Sequence, residues 1–347
     1  MFKKIQFYFK YNFTEFIATI VLSGMLLYYS VLLLWPLSGT NQSTNISIAK
    51  GSTLIDIASE LVNKQVINNK LSFVYAVKVL GYEKDMPAGN FEIDKASTNY
   101  GLIKQLINSV GLSKKVTILE GWTIENIADK ISNTLGIDKK KFFKASTDEG
   151  LLRKWRVESK SFEGYLFPDT YQFDENQDAI SIINKMVGEY KKNFSKELRD
   201  RMREINLTEN EVLALASIIE GEAIYDSERP RISGVYHNRL KKGMRLQADP
   251  TIQYIIDDSP RRLLNKDLKI KSPYNTYLNH GLPPGPINNP GLESIKAALY
   301  PEKVDYLFFV ARGDGYHTFS KTEKEHNKAK RAFQKIRRQS KLKNKIN

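Results

Sequence analysis

The chain has 347 residues, about twice the usual length of one domain, of which 41% are hydrophobic and 27% are charged. These ordinary globular values exclude a disordered tail, a collagen-like chain and a multi-pass membrane protein. The sequence has no cysteine, which excludes thiol nucleophiles, disulfide scaffolds and Cys-ligated metal sites, and its four histidines show no HExxH or HxH spacing. We therefore expect neither a metal nor another cofactor.

The formal net charge of +14 is concentrated at the two ends of the chain. Residues 320–347 contain eleven lysines and arginines against two acids, and residues 1–15 add a further net +2. No RNP motif, zinc finger or helix-turn-helix pattern accompanies this charge, so we expect no nucleic-acid partner. We interpret residues 335–347 as a solvated basic tail.

The first predicted element is a membrane-spanning helix. Residues 16–35 (FIATIVLSGMLLYYSVLLLW) carry no formal charge and are followed by Pro36, and this length just spans a hydrocarbon core of ~30 Å. Three lysines precede the run and none follows it before residue 50. The positive-inside rule therefore predicts a cytoplasmic N-terminus (1–13), a transmembrane helix (14–36) and an extracytoplasmic remainder. A cleaved signal peptide is the alternative, but the run exceeds the usual apolar region of about 7–15 residues and no small-x-small site follows it.

Two segments of the chain repeat each other at an offset of seventy residues. They are 46–61 (ISIAKGSTLIDIASEL) and 116–131 (VTILEGWTIENIADKI), with five identical positions. Each copy predicts an alternating strand, a glycine turn and a helix that begins at a threonine. Such βα units resemble the LysM module that binds amino-sugar polymers, and a duplicated packing element without a ligand is the alternative. We assign the first copy to a LysM-like subdomain (45–110) and the second to a region that includes the following junction (111–205).

Short strands and helices alternate through the rest of the chain. A strand is predicted at 89–93, helices at 99–109 and 179–205, and an aromatic junction, EGYLFPDTY, at 163–171. Eight of the twelve prolines lie between Pro250 and Pro301, which predicts a region made largely of loops. Residues 306–310 and 316–319 predict a β-hairpin whose His317 forms structural hydrogen bonds. The predicted fold class is α+β, with a single N-terminal transmembrane helix, LysM-like βα repeat elements and a C-terminal α+β catalytic domain (206–334).

The strongest catalytic candidate is a glutamate on a predicted helix. Thr208-Glu-Asn-Glu211 has the S/T-x-x-E form of a capping box and precedes a long apolar run. At about 100° per residue, Glu220 projects between apolar positions of this helix, whereas Glu222 lies in another sector. A carboxyl in an apolar setting retains its proton more readily and can donate it to a leaving oxygen. The alternative is a glutamate that turns to solvent or pairs with Arg229 or Arg231.

The loops after this helix contain polar and aromatic residues suited to a sugar. Tyr, Asn and Gln side chains offer ring faces and amide groups that match sugar hydroxyls and N-acetyl groups, although the same residues are common in turns. The candidate substrate-binding residues are Glu228, Asn238, Arg239, Gln247, Asp249, Tyr274, Asn275 and Tyr277.

An ordered set of motifs is similar to that of a known family. The motifs are ASIIEGE (216–222), NRL (238–240), MRLQADPT (244–251), YNTY (274–277), GLPPG (281–285), YLFFV (306–310) and HTF (317–319). Together with the apolar run, the repeat and the junction, they closely resemble the YceG-like family of endolytic murein transglycosylases over nearly the whole chain. In that family the glutamate of ASI-[IV]-E is the catalytic acid/base, which corresponds to Glu220. This chain has Gly221-Glu222-Ala223 where family members often have Lys-Glu-Thr, and this departure leaves Glu220 intact.

The resemblance implies a lytic reaction on peptidoglycan without a cofactor. In the family's reaction the MurNAc–GlcNAc β-1,4 bond is cleaved within a nascent strand, and a 1,6-anhydroMurNAc end forms. Glu220 would protonate the glycosidic oxygen and then take the proton of the C6 hydroxyl, which attacks the anomeric carbon. The resemblance also implies an anchor in the bacterial inner (cytoplasmic) membrane, peptidoglycan strands as substrate and membrane-bound peptidoglycan synthases as partners.

Two alternatives remain open at this stage. The first is a hydrolase of the same polymer, in which Glu228 or Asp249 supplies a second carboxylate. The second is a non-catalytic scaffold, in which the repeats bind glycan and the C-terminal domain docks onto wall-synthesis enzymes. The sequence also leaves open which polar group stabilises charge on the sugar ring, with Glu228, Gln247, Asp249 and Asn275 as candidates.

Overall fold

The computed structural model describes residues 2–34, 43–49, 51–93, 98–108, 113–174 and 177–343. The chain divides into two compact units. The first comprises residues 1–114 and 172–176, and the second comprises residues 115–171 and 177–347. The finer domain boundaries expected from the sequence stay predictions.

One long apolar helix, α1 (Phe2–Leu34), begins the chain. Residues 17–34 of this helix have a mean hydropathy of 2.1 and none of them is buried in the protein, so their length and composition suit a single membrane span. The helix starts before the expected boundary at residue 14. Trp35 and Pro36, where we expected the span to end, lie outside the described residues. The orientation of the helix in a membrane stays a prediction.

After α1, the described residues up to 108 form two strands and three helices around one apolar core. The strands β1 (Thr44–Ile48) and β2 (Gly89–Ile93) pair antiparallel, with Thr44 opposite Ile93. The helices are α2 (Leu54–Asn63), α3 (Lys70–Leu80) and α4 (Asn99–Asn108). The core includes Ile46, Leu61, Phe73, Phe91 and Leu102. The strand expected at 89–93 and the helix expected at 99–109 are confirmed, except that residue 109 lies outside the described residues.

The two repeat copies have the same local structure. In the first copy β1 leads through Gly51 into α2, and in the second copy β3 (Ser113–Thr117) leads through Gly121 into α5 (Ile124–Leu135). Both glycines have a positive φ, 87° and 76°, and Thr53 and Thr123 cap the two helices. The buried positions also correspond, as Ile46, Ile48, Ile57, Ala58 and Leu61 match Val116, Ile118, Ile127, Ala128 and Ile131. The predicted strand, turn and helix are therefore confirmed in both copies.

The second unit is mostly helical. The strands β3 and β4 (Thr170–Asp174) form a two-stranded sheet, and β5 (Phe308–Ala311) and β6 (His317–Ser320) form an antiparallel hairpin. Two short 3-10 helices lie at Asp226–Glu228 and Asp267–Lys269. The further helices are α6 (Lys139–Ser146), α7 (Glu149–Trp155), α8 (Ala179–Asn193), α9 (Lys196–Glu204), α10 (Glu209–Glu222), α11 (Arg229–Lys241), α12 (Asp249–Gln253), α13 (Leu292–Leu299) and α14 (Glu323–Lys343).

The helical run expected at 179–205 is broken into α8 and α9. Phe194 is buried and leaves helical geometry at a ψ of 76°. The Ser195 hydroxyl then accepts the N–H of Leu198 and caps α9. Because a serine side chain competes for backbone donors, it favours a new helix start over continuation of the old helix.

The expected hairpin and the structural role of its histidine are confirmed. Phe308 pairs with Ser320 and Ala311 pairs with His317. The N–H of His317 donates to Glu228 Oε1 at 3.1 Å, and its Nδ1 lies 2.9 Å from Glu228 Oε2. The mixture of helices and small sheets confirms the α+β class.

Candidate active site

Glu220 lies near the end of α10, whose start is fixed by its sequence. The Thr208 hydroxyl accepts the N–H of Glu211, and the Glu211 carboxylate accepts the N–H of Thr208. The predicted capping box is therefore confirmed. All residues from 212 to 219 are buried, which fixes the helix in the core. At Gly221 a Cβ atom would lie 2.6 Å from the Cβ of Pro250, so the glycine permits close packing of α12 against α10.

The carboxylate of Glu220 is held between two donors. Its side chain is only 7% exposed, as its apolar sector predicts. Oε1 accepts a hydrogen bond from Arg229 Nη1 at 3.1 Å, and Oε2 accepts one from the N–H of Gly291 at 3.0 Å. Both oxygens therefore accept hydrogen bonds, which fixes the orientation of the Glu220 carboxyl group.

Arg229 connects Glu220 to two further elements of the second unit. Its guanidinium is 6% exposed and also donates to Asp226 Oδ1 at 2.9 Å and to Ser294 Oγ at 2.6 Å. The pairing with Arg229 that we considered from the sequence is thus present, whereas Arg231 pairs with a surface glutamate instead. A planar guanidinium with several fixed partners also fixes the orientation of the carboxylate that it binds.

The segment that carries Gly291 is fixed to α10 by buried polar contacts. The hydroxyl of Ser217 accepts the N–H of Ile287, and the carbonyl of Ser217 accepts the amide of Asn288. Helix α10 therefore carries Glu220 and also fixes the loop whose Gly291 N–H donates a hydrogen bond to it.

A second set of contacts joins the same loop to the turn of the second repeat copy. The N–H of Gly121 donates to the Asn289 carbonyl, and the N–H of Asn289 donates to the Trp122 carbonyl. The buried carboxylate of Glu163 accepts the N–H of Ile124 and the amide of Asn289. Burial raises the pKa of Glu163 to about 8, and these two donors oppose the shift. The junction, the repeat turn and the loop are thus joined through Asn289.

Glu222 has a separate set of contacts, as its position on the helix predicts. The hydroxyl of Tyr236 donates to Glu222 Oε1 at 2.9 Å. Burial, followed by the charge of Asp249, raises the pKa of Glu222 to about 7. Among the residues that the structure describes, no hydrogen bond or ion pair joins this group to Glu220.

Four of the candidate substrate-binding residues form structural contacts within the second unit. Each of them uses its side chain to bind another part of the second unit: Glu228 binds His317, Asn238 binds the carbonyls of Val304 and Tyr306, Arg239 those of Leu246 and Leu307, and Asn275 those of Leu268 and Ile270. Loops without regular backbone pairing leave carbonyls that need side-chain donors. These four side chains thus anchor loops of the second unit, and their assignment to substrate binding stays a prediction.

The other four candidates are more accessible. Gln247 is exposed and has a φ of 48°. Asp249 is also exposed, and its Oδ1 accepts a hydrogen bond from the Tyr277 hydroxyl. The ring of Tyr274 packs beside another tyrosine at a centroid distance of 5.0 Å. Asp249 begins α12, which packs against α10, but none of the eight candidates forms a hydrogen bond with Glu220 in the described part of the chain.

One charged residue of the site was not expected from the sequence. Glu120 lies in the turn of the second repeat copy, and its Oε2 is 4.0 Å from Arg229 Nη2. The repeat contained a signal that could have indicated this residue, because the corresponding position 50 of the first copy is a lysine and the charge therefore differs between the copies. Within the described ranges, no three acidic or histidine side chains group as metal ligands, and the expectation of no cofactor stays a prediction.

Comparison with known proteins finds relatives over most of the chain. The model of the YceG-like family matches residues 46–332. A Bacillus subtilis (strain 168) protein named endolytic murein transglycosylase is 36% identical over 330 residues, which cover 90% of this chain and 91% of that protein. A Streptococcus pneumoniae (strain D39) protein of the same name is 29% identical over 94% of this chain, which spans 65% of that protein. A 2.6 Å crystal structure described as a putative yceG-like protein from Listeria monocytogenes has a TM-score of 0.59 and 36% identity, and the match covers 83% of this chain and 99% of that chain.

Proposed function

The chain belongs to the YceG-like family, and from that membership we infer that it is an endolytic murein transglycosylase in which Glu220 carries the proton transfers. It cleaves the β-1,4 bond between MurNAc and GlcNAc in nascent peptidoglycan strands and leaves a 1,6-anhydroMurNAc end, which terminates elongation. The observation that carries this function is 36% identity over 90% of the chain to a protein named for that activity.

The contacts of Glu220 support its role as both acid and base. In the acid form it donates its proton to the glycosidic oxygen as the bond to the anomeric carbon breaks. The resulting carboxylate has the two donors Arg229 and Gly291 to hold it in place. It then takes the proton of the C6 hydroxyl, whose oxygen attacks the anomeric carbon. Because the nucleophile is part of the same sugar, the attack requires no second molecule to be positioned.

The contacts of Glu228 and Asp249 disfavour either of them as the second carboxylate of a hydrolase. Both oxygens of Glu228 are bound by His317, so this carboxylate is not free to activate a water molecule. The carboxylate of Asp249 is bound by the Tyr277 hydroxyl. A purely non-catalytic scaffold is also disfavoured, since holding a charged glutamate inside a helix bundle costs desolvation energy that an apolar residue would not.

The four accessible candidates remain our proposal for substrate contacts. Gln247 and Asp249 offer amide and carboxylate groups to sugar hydroxyls, and Tyr274 and Tyr277 offer ring faces. We further propose that the repeat copies act as LysM-like elements that contact the glycan strand.

The location that we propose follows from the charge around α1. By the positive-inside rule, the lysines before the apolar run favour a cytoplasmic N-terminus, with the remainder of the chain outside the inner membrane. A glycosidase anchored in this way acts on strands at the site of their synthesis. We therefore propose membrane-bound peptidoglycan synthases as its neighbours and partners.

Product analysis of two matched variants tests this function. The full chain in non-ionic detergent is incubated with purified glycan strands, and 1,6-anhydro ends are counted by mass spectrometry, since such ends lack one water relative to hydrolysed ends. Glu220→Gln should lower the rate of product formation by about 10²–10⁴-fold or more, because the proton can be neither delivered nor recovered.

Glu222→Gln is the matched control on the same helix. A glutamine at this position keeps the acceptor for the Tyr236 hydroxyl, so folding and most of the activity should be retained. Hydrolysed ends in place of anhydro ends would refute the lytic reaction. Equal losses in the two variants would refute the assignment of Glu220.

A further inference from the structure

A second carboxyl group lies beside Glu220 on the other side of one glycine. A Cβ atom at Gly291 would lie 1.9 Å from Glu120 Oε1 and 2.1 Å from its Cδ, so only the missing side chain leaves room for the Glu120 carboxylate. The N–H of the same glycine donates to Glu220 Oε2 at 3.0 Å. Since both groups reach one residue, their carboxylate oxygens lie within about 8 Å of each other.

The same arginine faces both carboxyl groups. Arg229 binds Glu220 through Nη1 at 3.1 Å and approaches Glu120 Oε2 through Nη2 at 4.0 Å. The two groups differ in solvent exposure, since the side chain of Glu220 is 7% exposed and that of Glu120 is 51% exposed. The site therefore contains one enclosed carboxylate and one that a bound molecule can touch.

Glu120 differs from the enclosed carboxylates of the second unit in having unused acceptors. Glu163, Glu222 and Glu228 are each bound by donors of the protein. Within the described ranges, no N–H or O–H group of the protein donates to Glu120. The fold of the repeat does not require an acid here either, since the first copy has a lysine at position 50.

We propose that Glu120 is the carboxylate that faces the sugar ring on which positive charge develops while Glu220 moves the proton. The inference rests on the proposed function. As the proton of Glu220 passes to the glycosidic oxygen and the bond to C1 breaks, positive charge spreads over C1 and the ring oxygen. Glu120 stabilises this charge without forming a bond. The C6 oxygen then bonds to C1, and its proton returns to Glu220, so no water or other reactant is consumed.

Preorganised charge of this kind is effective because it is already in place when the transition state forms. A carboxylate near the ring would repel Glu220 if both remained ionised, and Arg229 offsets part of that repulsion. Glu120 can therefore stabilise the ring only when it is ionised, which makes its contribution dependent on pH.

Several charged groups around Glu120 determine the pH at which it ionises. Burial and then the charge of Glu220 on α10 raise the pKa of Glu120 above its ordinary value. Asp226 and Glu293 raise it as well, while Arg229 on α11 lowers it. Activity should therefore fall on acidification at a higher pH than an unperturbed glutamate would give.

The test compares Glu120→Gln with Glu125→Gln, an exposed glutamate at the start of α5. The full chain in detergent is assayed on glycan strands from about pH 4.5 to about pH 8, and kcat and KM are determined separately. We expect Glu120→Gln to lower kcat by about 10²-fold with KM nearly unchanged, and to remove the loss of activity on the acidic side. Glu125→Gln should match the parent.

Three results would overturn the proposal. The first is a kcat of Glu120→Gln within about threefold of the parent value. The second is a lower kcat whose fall on the acidic side of the pH profile is unchanged. The third is a loss of kcat that parallels a fall in melting temperature. If Glu120→Gln does not fold, Glu120→Ala takes its place, and a kcat equal to that of the parent would then refute the role. Glu220→Gln is measured in parallel: an active Glu220→Gln protein refutes the proposed function, whereas an inactive one beside an active Glu120→Gln protein refutes only this inference.

Discussion

Two arginines of α11, two positions apart, should differ strongly in their effect on stability. Arg229 is buried and binds Glu220, Asp226 and Ser294. Arg231 pairs with Glu302 on the surface, where the two side chains are 42% and 38% exposed. Arg229→Gln and Arg231→Gln therefore remove the same charge from one helix in two different environments.

The magnitudes follow from what each substitution leaves behind. Without Arg229 the enclosed Glu220 carboxylate retains only the Gly291 N–H, whereas Asp226 is largely exposed and returns to water. One uncompensated buried charge costs about 3–5 kcal/mol. An exposed ion pair contributes about 0.2–1 kcal/mol, so Arg231→Gln should cost no more than that.

The assay is urea unfolding of the full chain in detergent, followed by tryptophan fluorescence. Trp122 and Trp155 both lie in the second unit, so the part of the signal that these two contribute, beside that of Trp35, reports on the unit that contains α11. For a unit of this size, 3 kcal/mol corresponds to a fall in melting temperature of about 6–12 °C. The Arg229→Gln protein should also have a lower kcat, because the Glu220 carboxylate is no longer oriented. Equal losses of stability for the two variants, or a cost below about 1 kcal/mol for Arg229→Gln, would refute the reasoning.

Two further predictions concern other parts of the chain. The raised pKa of Glu163, about 8 against an ordinary 4.5, means that the folded state holds this proton to higher pH than the unfolded chain. The free energy of unfolding should therefore fall by up to about 1.4 kcal/mol per pH unit as the pH rises from about 4.5 to about 8. Glu163→Gln should reduce this loss of stability, and melting temperatures measured at low and high pH test it. Removal of residues 1–42, which leaves β1 whole, should give a soluble and active protein by circular dichroism and glycan cleavage. Its melting temperature should be slightly lower, because Leu32 and Leu33 of α1 pack against the first-unit core, and aggregation would contradict the single-span interpretation.

Local patterns in the sequence were sufficient for the features that depend on neighbouring residues. The capping box at Thr208, the break of periodicity at glycine turns and the buried sector of Glu220 all follow from spacing along one helix or strand. The repeat was predictable for the same reason, since each copy carries its own strand, turn and threonine cap.

The partners of Glu220 could not be predicted in this way. Gly291 is 71 positions away in sequence, and only the packing of the loop before α13 against α10 brings its N–H to the carboxylate. The structural contacts of the polar loop residues could not be predicted either, for a related physical reason. An amide such as that of Asn275 suits a sugar and a backbone carbonyl equally well, and the sequence does not reveal which of them it meets.

The turn of the second repeat copy has a direct part in the candidate site. The turn of the second copy exchanges hydrogen bonds with Asn289, two residues before the glycine that binds Glu220. The strand and helix of that copy thus fix the position of the turn that carries Glu120. In the first copy the same strand, turn and helix contribute Ile46 and Leu61 to the apolar core of the first unit, and a lysine occupies position 50. A duplicated βα element can therefore keep one packing pattern in both copies while the charge at one corresponding position differs between them.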